Sequence, residues 1–466
     1  MAKQPNILLI LTDDQRFDTI GAVNNPAIKT PNLDRLVADG TTCTHAHIMG
    51  GSSAAICMPS RAMLHTGRTL YHLAAQGQTI PDDHVTLGEA LQRAGYDTFG
   101  TGKWHNGIAS FARSFTDGDE IYFGGMMDHW NVPAHRYDPS GEYSSQMPYC
   151  VDAFRSKEVS YRHADHIHAG VHSTDMLTDA TLAYLDRRPA DKPFFAYVSY
   201  LAPHDPRVMP QKYLDMYDPD EIELPVSYMP SHPFDNGELR IRDEMLAGFP
   251  RAEEEVREHL RDYYAMITHV DDRLGDLLDK LEAEGELENT IIIFTGDNGL
   301  AVGRHGLMGK QSMYDHSMRV PMIWRGPGVP KGEQRDGLCY VLDIMPTLLA
   351  MVGSDIPETV EGRSLKPMID GETGGREFVQ CAYRHIQRAV SDGKFKLIEY
   401  VVHGRRRTQL FDLTDDPHEL TNLADEPAQA DRLRTMRGWL ETWRTEWDDD
   451  QPDQGATFWA GYDAAS

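Results

Sequence analysis

Long apolar runs, close cysteine pairs and positive charge are what this chain lacks. No stretch of about eighteen apolar residues occurs, so nothing reads as a membrane span. Five cysteines (Cys43, Cys57, Cys150, Cys339, Cys381) lie far apart in 466 residues, and the odd count with this spacing argues against a disulfide framework. Lysine and arginine total 45 against 72 acidic residues, a net charge of −27. A surface so acidic repels nucleic acid and anionic membranes, and neither is expected as a partner. It also repels an anionic substrate at long range, so such a substrate needs a local basic pocket. The opening Met-Ala-Lys-Gln-Pro-Asn carries no charged segment followed by a long apolar one. A cytoplasmic location is therefore expected, although a trimmed periplasmic form would read alike. There are no internal repeats.

With 40% hydrophobic residues the chain can build a sizeable core. Four short apolar runs stand out by what ends them: Asn6 to Leu11 before Thr12-Asp13-Asp14, Tyr96 to Thr101 before Gly102-Lys103-Trp104-His105, Phe194 to Leu201 before Ala202-Pro203-His204-Asp205, and Thr290 to Thr295 before Gly296-Asp297-Asn298-Gly299. Such runs suit buried parallel strands. Helical patterns lie between them at Thr30 to Asp39, Leu87 to Ala94, Thr174 to Arg187 and Glu254 to Glu284. The alternation predicts an α/β fold, a large mostly parallel sheet between helices. After Gly374 the pattern turns to short strands at Phe378 to Tyr383, Gln387 to Ser391, Phe395 to Val402 and Thr408 to Leu413, then a helix from Gln429 to Trp447. This predicts a catalytic unit over 1–370 and a small antiparallel sheet plus helix over 371–466. The acidic, Pro- and Gly-containing stretch from Asp448 to Ser466 is expected to drape or fray.

Ligand sites in open parallel sheets lie beyond the carboxyl ends of the strands. Four strands here end in carboxylates, a carboxamide, lysine or histidine, which points to one convergent site. Asp13, Asp14, Asp297 and Asn298 are oxygen donors of the kind hard cations take in sets of about six to eight. Taken singly, Asp13-Asp14 could also cap the next segment and Asp297-Asn298-Gly299 could simply turn. Lys103 and His105 are two apart, and so share a face if extended. His204 and Lys310 follow two of the other strands. In Cys57-Met58-Pro59-Ser60-Arg61, Pro59 suits the first turn of a helix. That places Cys57 at the helix's anion-favouring end and Arg61 one turn on. A buried, inert thiol is the bland reading of Cys57.

Cys57-x-Pro59-Ser60-Arg61 followed by Thr66-Gly67 resembles the signature of the type I, formylglycine-dependent sulfatases of the alkaline phosphatase-like superfamily. The strand-end set, Thr30-Pro31-Asn32-Leu33-Asp34-Arg35-Leu36 and Leu410-Phe411-Asp412-Leu413 look like that family too, and the chain resembles its bacterial carbohydrate sulfatases. The resemblance implies that a formylglycine-generating or anaerobic maturation enzyme oxidises Cys57 to formylglycine, whose hydrated aldehyde attacks sulfur. It implies a divalent cation, calcium first with magnesium or manganese as alternatives, on Asp13, Asp14, position 57, Asp297 and Asn298. Arg61 would orient the nucleophile, Lys103 and Lys310 neutralise sulfate oxygens, His204 protonate the leaving alkoxide, and His105 remove the proton that releases sulfate.

The implied reaction is hydrolysis of a sulfate monoester, with a small sulfated saccharide the favoured substrate. Phosphonate monoester or phosphodiester hydrolysis, and choline or aryl sulfate as substrates, are the alternatives. A binding protein with Cys57 never oxidised is the reading from another class. The long loop from Phe111 to Tyr143 suggests His129, His135 and Arg136 as substrate contacts. His163, His166, His168 and His172 have a spacing that invites zinc, but no cysteine or carboxylate in the run completes a site, so substrate contact is preferred there.

Overall fold

The apolar run after Asn6 becomes the central strand of the molecule. In the computed structural model, which describes residues 4–23, 25–150, 154 and 157–465, β1 (Asn6–Thr12) is buried along its length. Other strands and helices that set the site are α1 (Pro31–Asp39) and α2 (Cys57–Thr66), β2 (Asp97–Lys103) and β3 (Asp117–Tyr122), α3 (Ser173–Arg187), β4 (Phe194–Ser199), α4 (Glu253–Ala283) and β5 (Thr290–Gly296). The antiparallel β6 (Met322–Arg325) follows. The sheet has eight strands, ordered Glu333–Arg335, Thr41–Cys43, β6, β5, β1, β4, β2, β3. From β5 to β2 all pairings are parallel, as the apolar runs predict; β3 adds a further parallel edge strand from within Phe111 to Tyr143, a stretch that reads as a long loop because its alternating acidic residues hide the strand.

Both faces of this sheet are covered, which is why its strands read as continuous apolar runs. Ile7, Leu9 and Leu11 of β1 pack on one side with Ala62 and Leu64 of α2 and with Leu91 and Leu348. Leu8 and Ile10 pack on the other with Leu33 and Leu36 of α1, Leu177 of α3 and Leu274 and Leu278 of α4. Truncating one such side chain to alanine costs about 2–5 kcal/mol.

The second sheet contains β7 (Val379–Tyr383), β8 (Gln387–Ser391), β9 (Phe395–Val402) and β10 (Arg405–Asp412), with α5 (Ala430–Glu446) against it. Its edge beside β7 is completed by Gly50–Gly51, from the segment that leads into α2. At Gly50 a Cβ would stand 2.1 Å from the Ala382 carbonyl oxygen, so only glycine allows this approach. The tail differs from expectation. α6 (Asp453–Ala464) buries Phe458, Trp459 and Tyr462, and Trp459 donates to Asp449 at 2.9 Å. Three aromatics on one helical face outweigh the acidic composition that suggested fraying. Met1–Lys3 and Ser466 lie outside the described residues. Among the described residues no helix is long and apolar enough to cross a membrane.

Candidate active site

Strand register brings the predicted residues together. Thr12 lies beside Gly296, Leu11 beside Ser199 and Ser199 beside Gly102. The residues just past these positions therefore emerge at one level. Asp13 is held by its backbone N–H on the Ala202 carbonyl (3.1 Å), and Asp297 by its own on that of Thr12 (3.0 Å). Asp14 sits in the left-handed region at φ 69°. It is kept there by its N–H donating to Asp297 Oδ1 (3.1 Å) and by the Tyr263 hydroxyl donating to its carbonyl (2.6 Å).

Cys57 begins α2, as the motif predicts. Its Sγ lies 3.4 Å from Lys103 Nζ and 3.5 Å from His105 Nδ1. Arg61, fully buried, donates from Nε to Asp297 Oδ2 (2.9 Å) and from Nη1 to the Lys103 carbonyl (2.7 Å) and the Ser199 hydroxyl. Lys103 pairs with Asp13, and Lys310 with Asp14 Oδ1, which also accepts from Asn298 Nδ2 (2.7 Å). His204 donates from Nδ1 to the Asp205 carbonyl (2.8 Å), leaving Nε2 3.6 Å from Asp14 Oδ2.

Burial and charge decide how these groups ionise. Burial works against the carboxylate at Asp13, but Lys103, His204, Arg61 and Lys310 outweigh it and hold its pKa far below the usual range. Asp297 goes the other way, up to about 6, because burial and the Asp13 charge exceed the help of Arg61 and Lys103. Burial disfavours charged Lys310, yet Asp14 and its neighbours keep it well above the ordinary lysine value. His105 is driven down to about 2, first by burial and then by Lys103 and Arg61. Burial raises the Cys57 thiol despite Lys103 and Lys310.

The donor set fits a hard cation. Asp13 Oδ1 and Asn298 Oδ1 are buried with no hydrogen-bond partner, an expensive condition unless something else binds them. Donor atoms of Asp13, Asp14 and His204, and of Asp13, Cys57 and Asp297, form two groups, each within 4.8 Å and sharing Asp13. Oxygen predominance suits a hard divalent ion.

Above the cluster opens a cleft with about 230 Å³ of water-accessible space, lined by Ala54, Ala55, Cys57, His105, Gly125, Met126, His204, Ile241, Arg242, Asp243, Lys310 and Gln311. His129, His135 and Arg136 do not line it. His129 is buried behind His204, with Nε2 3.0 Å from that residue's carbonyl. His135 faces His163 (3.2 Å), and Arg136 is exposed, its backbone N–H on Asp165. A second cleft, lined by Tyr71, Arg384, Arg388 and Asp449, is of similar size but holds none of the strand-end groups. Sequence reasoning missed Ser199 and Tyr197 on Arg61, although their i, i+2 spacing inside an apolar run was a signal. It also missed Arg242 and Asp243, from a single 3-10 turn over Arg242–Leu246, and Gln311, from a loop, since neither carries a pattern.

The sulfatase family model matches residues 5–354, and the model described as N-sulphoglucosamine sulphohydrolase, C-terminal, matches 303–446. An N-acetylglucosamine-6-O-sulfatase of Bacteroides thetaiotaomicron is 25% identical, covering 98% of this chain and 89% of its own. A solved structure in complex with its substrate D-glucosamine-2-N,6-O-disulfate superposes with a TM-score of 0.77 at 22% identity, over 97% of this chain and 99% of the other. The phosphonate monoester hydrolase of Agrobacterium radiobacter superposes at 0.74 and 23% identity, over 95% and 96%. The chain belongs to the sulfatase family, with the alkaline phosphatase-like α/β fold, and is a sulfuric ester hydrolase.

Proposed function

We propose that this sulfatase hydrolyses the sulfate monoester of a small sulfated saccharide, using formylglycine made from Cys57 by a maturation enzyme and a divalent cation, calcium first. The observation that carries this reading is the placement of Cys57 at a helix start, lining a cleft, against Lys103 and His105 and within ligand distance of Asp13 and Asp297. The unmodified thiol is a poor nucleophile there, since burial raises its pKa and thiolate is scarce. Formylglycine would supply a hydrated-aldehyde oxygen as nucleophile toward sulfur, and the cation on Asp13, Asp14, Asp297 and Asn298 a Lewis acid for the sulfate oxygens.

The chain's own residues do the rest. Lys103 and Lys310 remain cationic and offset charge on the non-bridging sulfate oxygens, a form of stabilisation that can dominate catalysis. Arg61 is locked by Asp297, the Lys103 carbonyl and Ser199, and so fixes the start of α2 against the strand ends. His204, with Nδ1–H on a carbonyl, carries its transferable proton on Nε2 when charged and delivers it to the leaving alkoxide. His105 Nδ1 lies 3.5 Å from the Sγ at position 57, the ring within reach to take a proton from the group there. A sulfated glucosamine is the first substrate to test, because relatives are named for that chemistry.

The test is turnover of matured protein on N-, 3-O- and 6-O-sulfated glucosamines, choline sulfate, and an aryl sulfate matched to an aryl phosphonate ester. The reading predicts the highest kcat/KM on a sulfated sugar. A preference for the phosphonate ester would favour the alternative that shares this fold.

A further inference from the structure

Away from the cleft, one carboxylate meets two imidazoles. Glu120 Oε2 lies 2.8 Å from His166 Nε2, and Oε1 lies 2.9 Å from His168 Nε2. The three donor atoms fall within 4.8 Å of one another. Glu120 comes from the edge strand β3, where the pairing with β2 slips: Thr101 lies beside Asp119 but Gly102 beside Ile121, so Glu120 is the extra residue. Its φ of 51° belongs to that bulge. Bulges re-aim side chains, and this one sets Glu120 against the two histidines.

The second observation concerns the far side of His166. Its Nδ1 contacts the Asp165 carboxylate, so both ring nitrogens face carboxylates. A neutral imidazole carries one N–H and can satisfy only one of them. Without a metal the ring bridges the two carboxylates as an imidazolium; with one it keeps Nδ1–H on Asp165 and turns the Nε2 lone pair to the cation. The latter is the carboxylate–histidine–metal arrangement that orients ligating histidines.

We propose that Glu120, His166 and His168 form a site for one borderline divalent transition metal, zinc being the best match to two imidazoles and a carboxylate, with a fourth position open to solvent beside the exposed His168. Two histidines with one glutamate and a solvent position is an established zinc donor set. The metal would staple the 160–168 segment to the edge strand, adding to the short pairing of His166–Ile167 with Pro133–Ala134. The staple reaches the cleft: two residues after Glu120 the Tyr122 hydroxyl donates to the Met126 carbonyl (2.7 Å), and Gly125 and Met126 are cleft wall. The carboxylate missing from the histidine run is thus supplied about forty residues upstream by the fold.

The experiment uses the untagged, matured full chain, saturated with calcium and dialysed against buffered free zinc, with bound metal counted by elemental analysis. Wild type should hold one equivalent of zinc that H166A/H168A lacks, and D165N should bind it about 10–100-fold more weakly. Zinc should slow hydrogen exchange across 160–168 in wild type alone. His168 is exposed, so H168A alone serves if the double variant fails to fold. Equal zinc in wild type and H168A, no zinc in wild type at micromolar free metal, or loss of zinc instead in H269A of the His172–Asp175–His269 group would each overturn the proposal.

Discussion

Two buried charge clusters in this protein look alike and behave differently. One is the strand-end set around Asp13, Asp14 and Asp297. The other lies between the two sheets, where Lys396 bonds Asp315 (2.7 Å) and Glu419 (2.8 Å) and Arg319 reaches Asp315. In each, burial opposes ionisation but cationic neighbours hold one carboxyl far below the usual range, Asp13 in one and Asp315 in the other. In each, a second carboxyl is pushed up by burial and by its ionised neighbour, Asp297 to about 6 and Glu419 to about 7. Charge balance does not separate them. What separates them is that the first borders a cleft and keeps Asp13 Oδ1 and Asn298 Oδ1 without a hydrogen-bond partner, whereas in the second the one carboxyl oxygen without a hydrogen bond, Glu419 Oε1, has the Lys396 ammonium 2.8 Å away, and Glu419 Oε2 accepts the Asp315 N–H (2.8 Å). The first keeps donor oxygens of the kind the proposed cation would take; in the second the charged groups bond one another.

Variants should break the two clusters in opposite ways. Cys57→Ala should abolish turnover by orders of magnitude while leaving the melting temperature near wild type. Near-normal kcat would end the assignment of position 57. Verified removal of divalent metal should also abolish sulfate release, and lower the melting temperature because a ligand of the native state is lost. Lys396→Met should do the reverse, costing about 3–5 kcal/mol in a denaturant titration by taking the shared ammonium from both carboxyls and leaving Asp315 only Arg319, with kcat per folded molecule unchanged. The smallest effect is expected at Ser199→Ala, which removes one charge-assisted bond from Arg61. A loss of about 1.5 kcal/mol, roughly tenfold in kcat/KM, is expected there. A larger effect on stability than on turnover would move Ser199 from the site to the scaffold.

The strand-end site was legible because parallel β-structure makes it so. A buried strand writes itself as an apolar run, and the polar residues that end it mark the ligand face. Asp13, Lys103, His204 and Asp297 follow directly from that rule, and Cys57 from its motif. The Lys396 cluster was not legible, because Asp315, Lys396 and Glu419 sit in three unrelated local patterns and meet only when the second sheet docks. Glu120 escaped for a related reason: a one-residue bulge decides which way it faces, and no pattern announces the bulge. The loop histidines show how little a position in the chain says about what a side chain faces. His129 reads as a cleft residue from its place in a long loop, yet it supports the His204 backbone from behind. The closing helix over Asp453–Ala464 was hidden by composition, since its aromatics follow an acidic, proline-containing lead.

The most direct test of the central claim is a crystal structure of the active, matured protein in calcium. The account predicts formylglycine at position 57 and a cation about 2.3–2.6 Å from Asp13 Oδ1 and Asn298 Oδ1. Active protein with an intact Cys57 thiol, or with those two oxygens bound only by lysine or water, would contradict it.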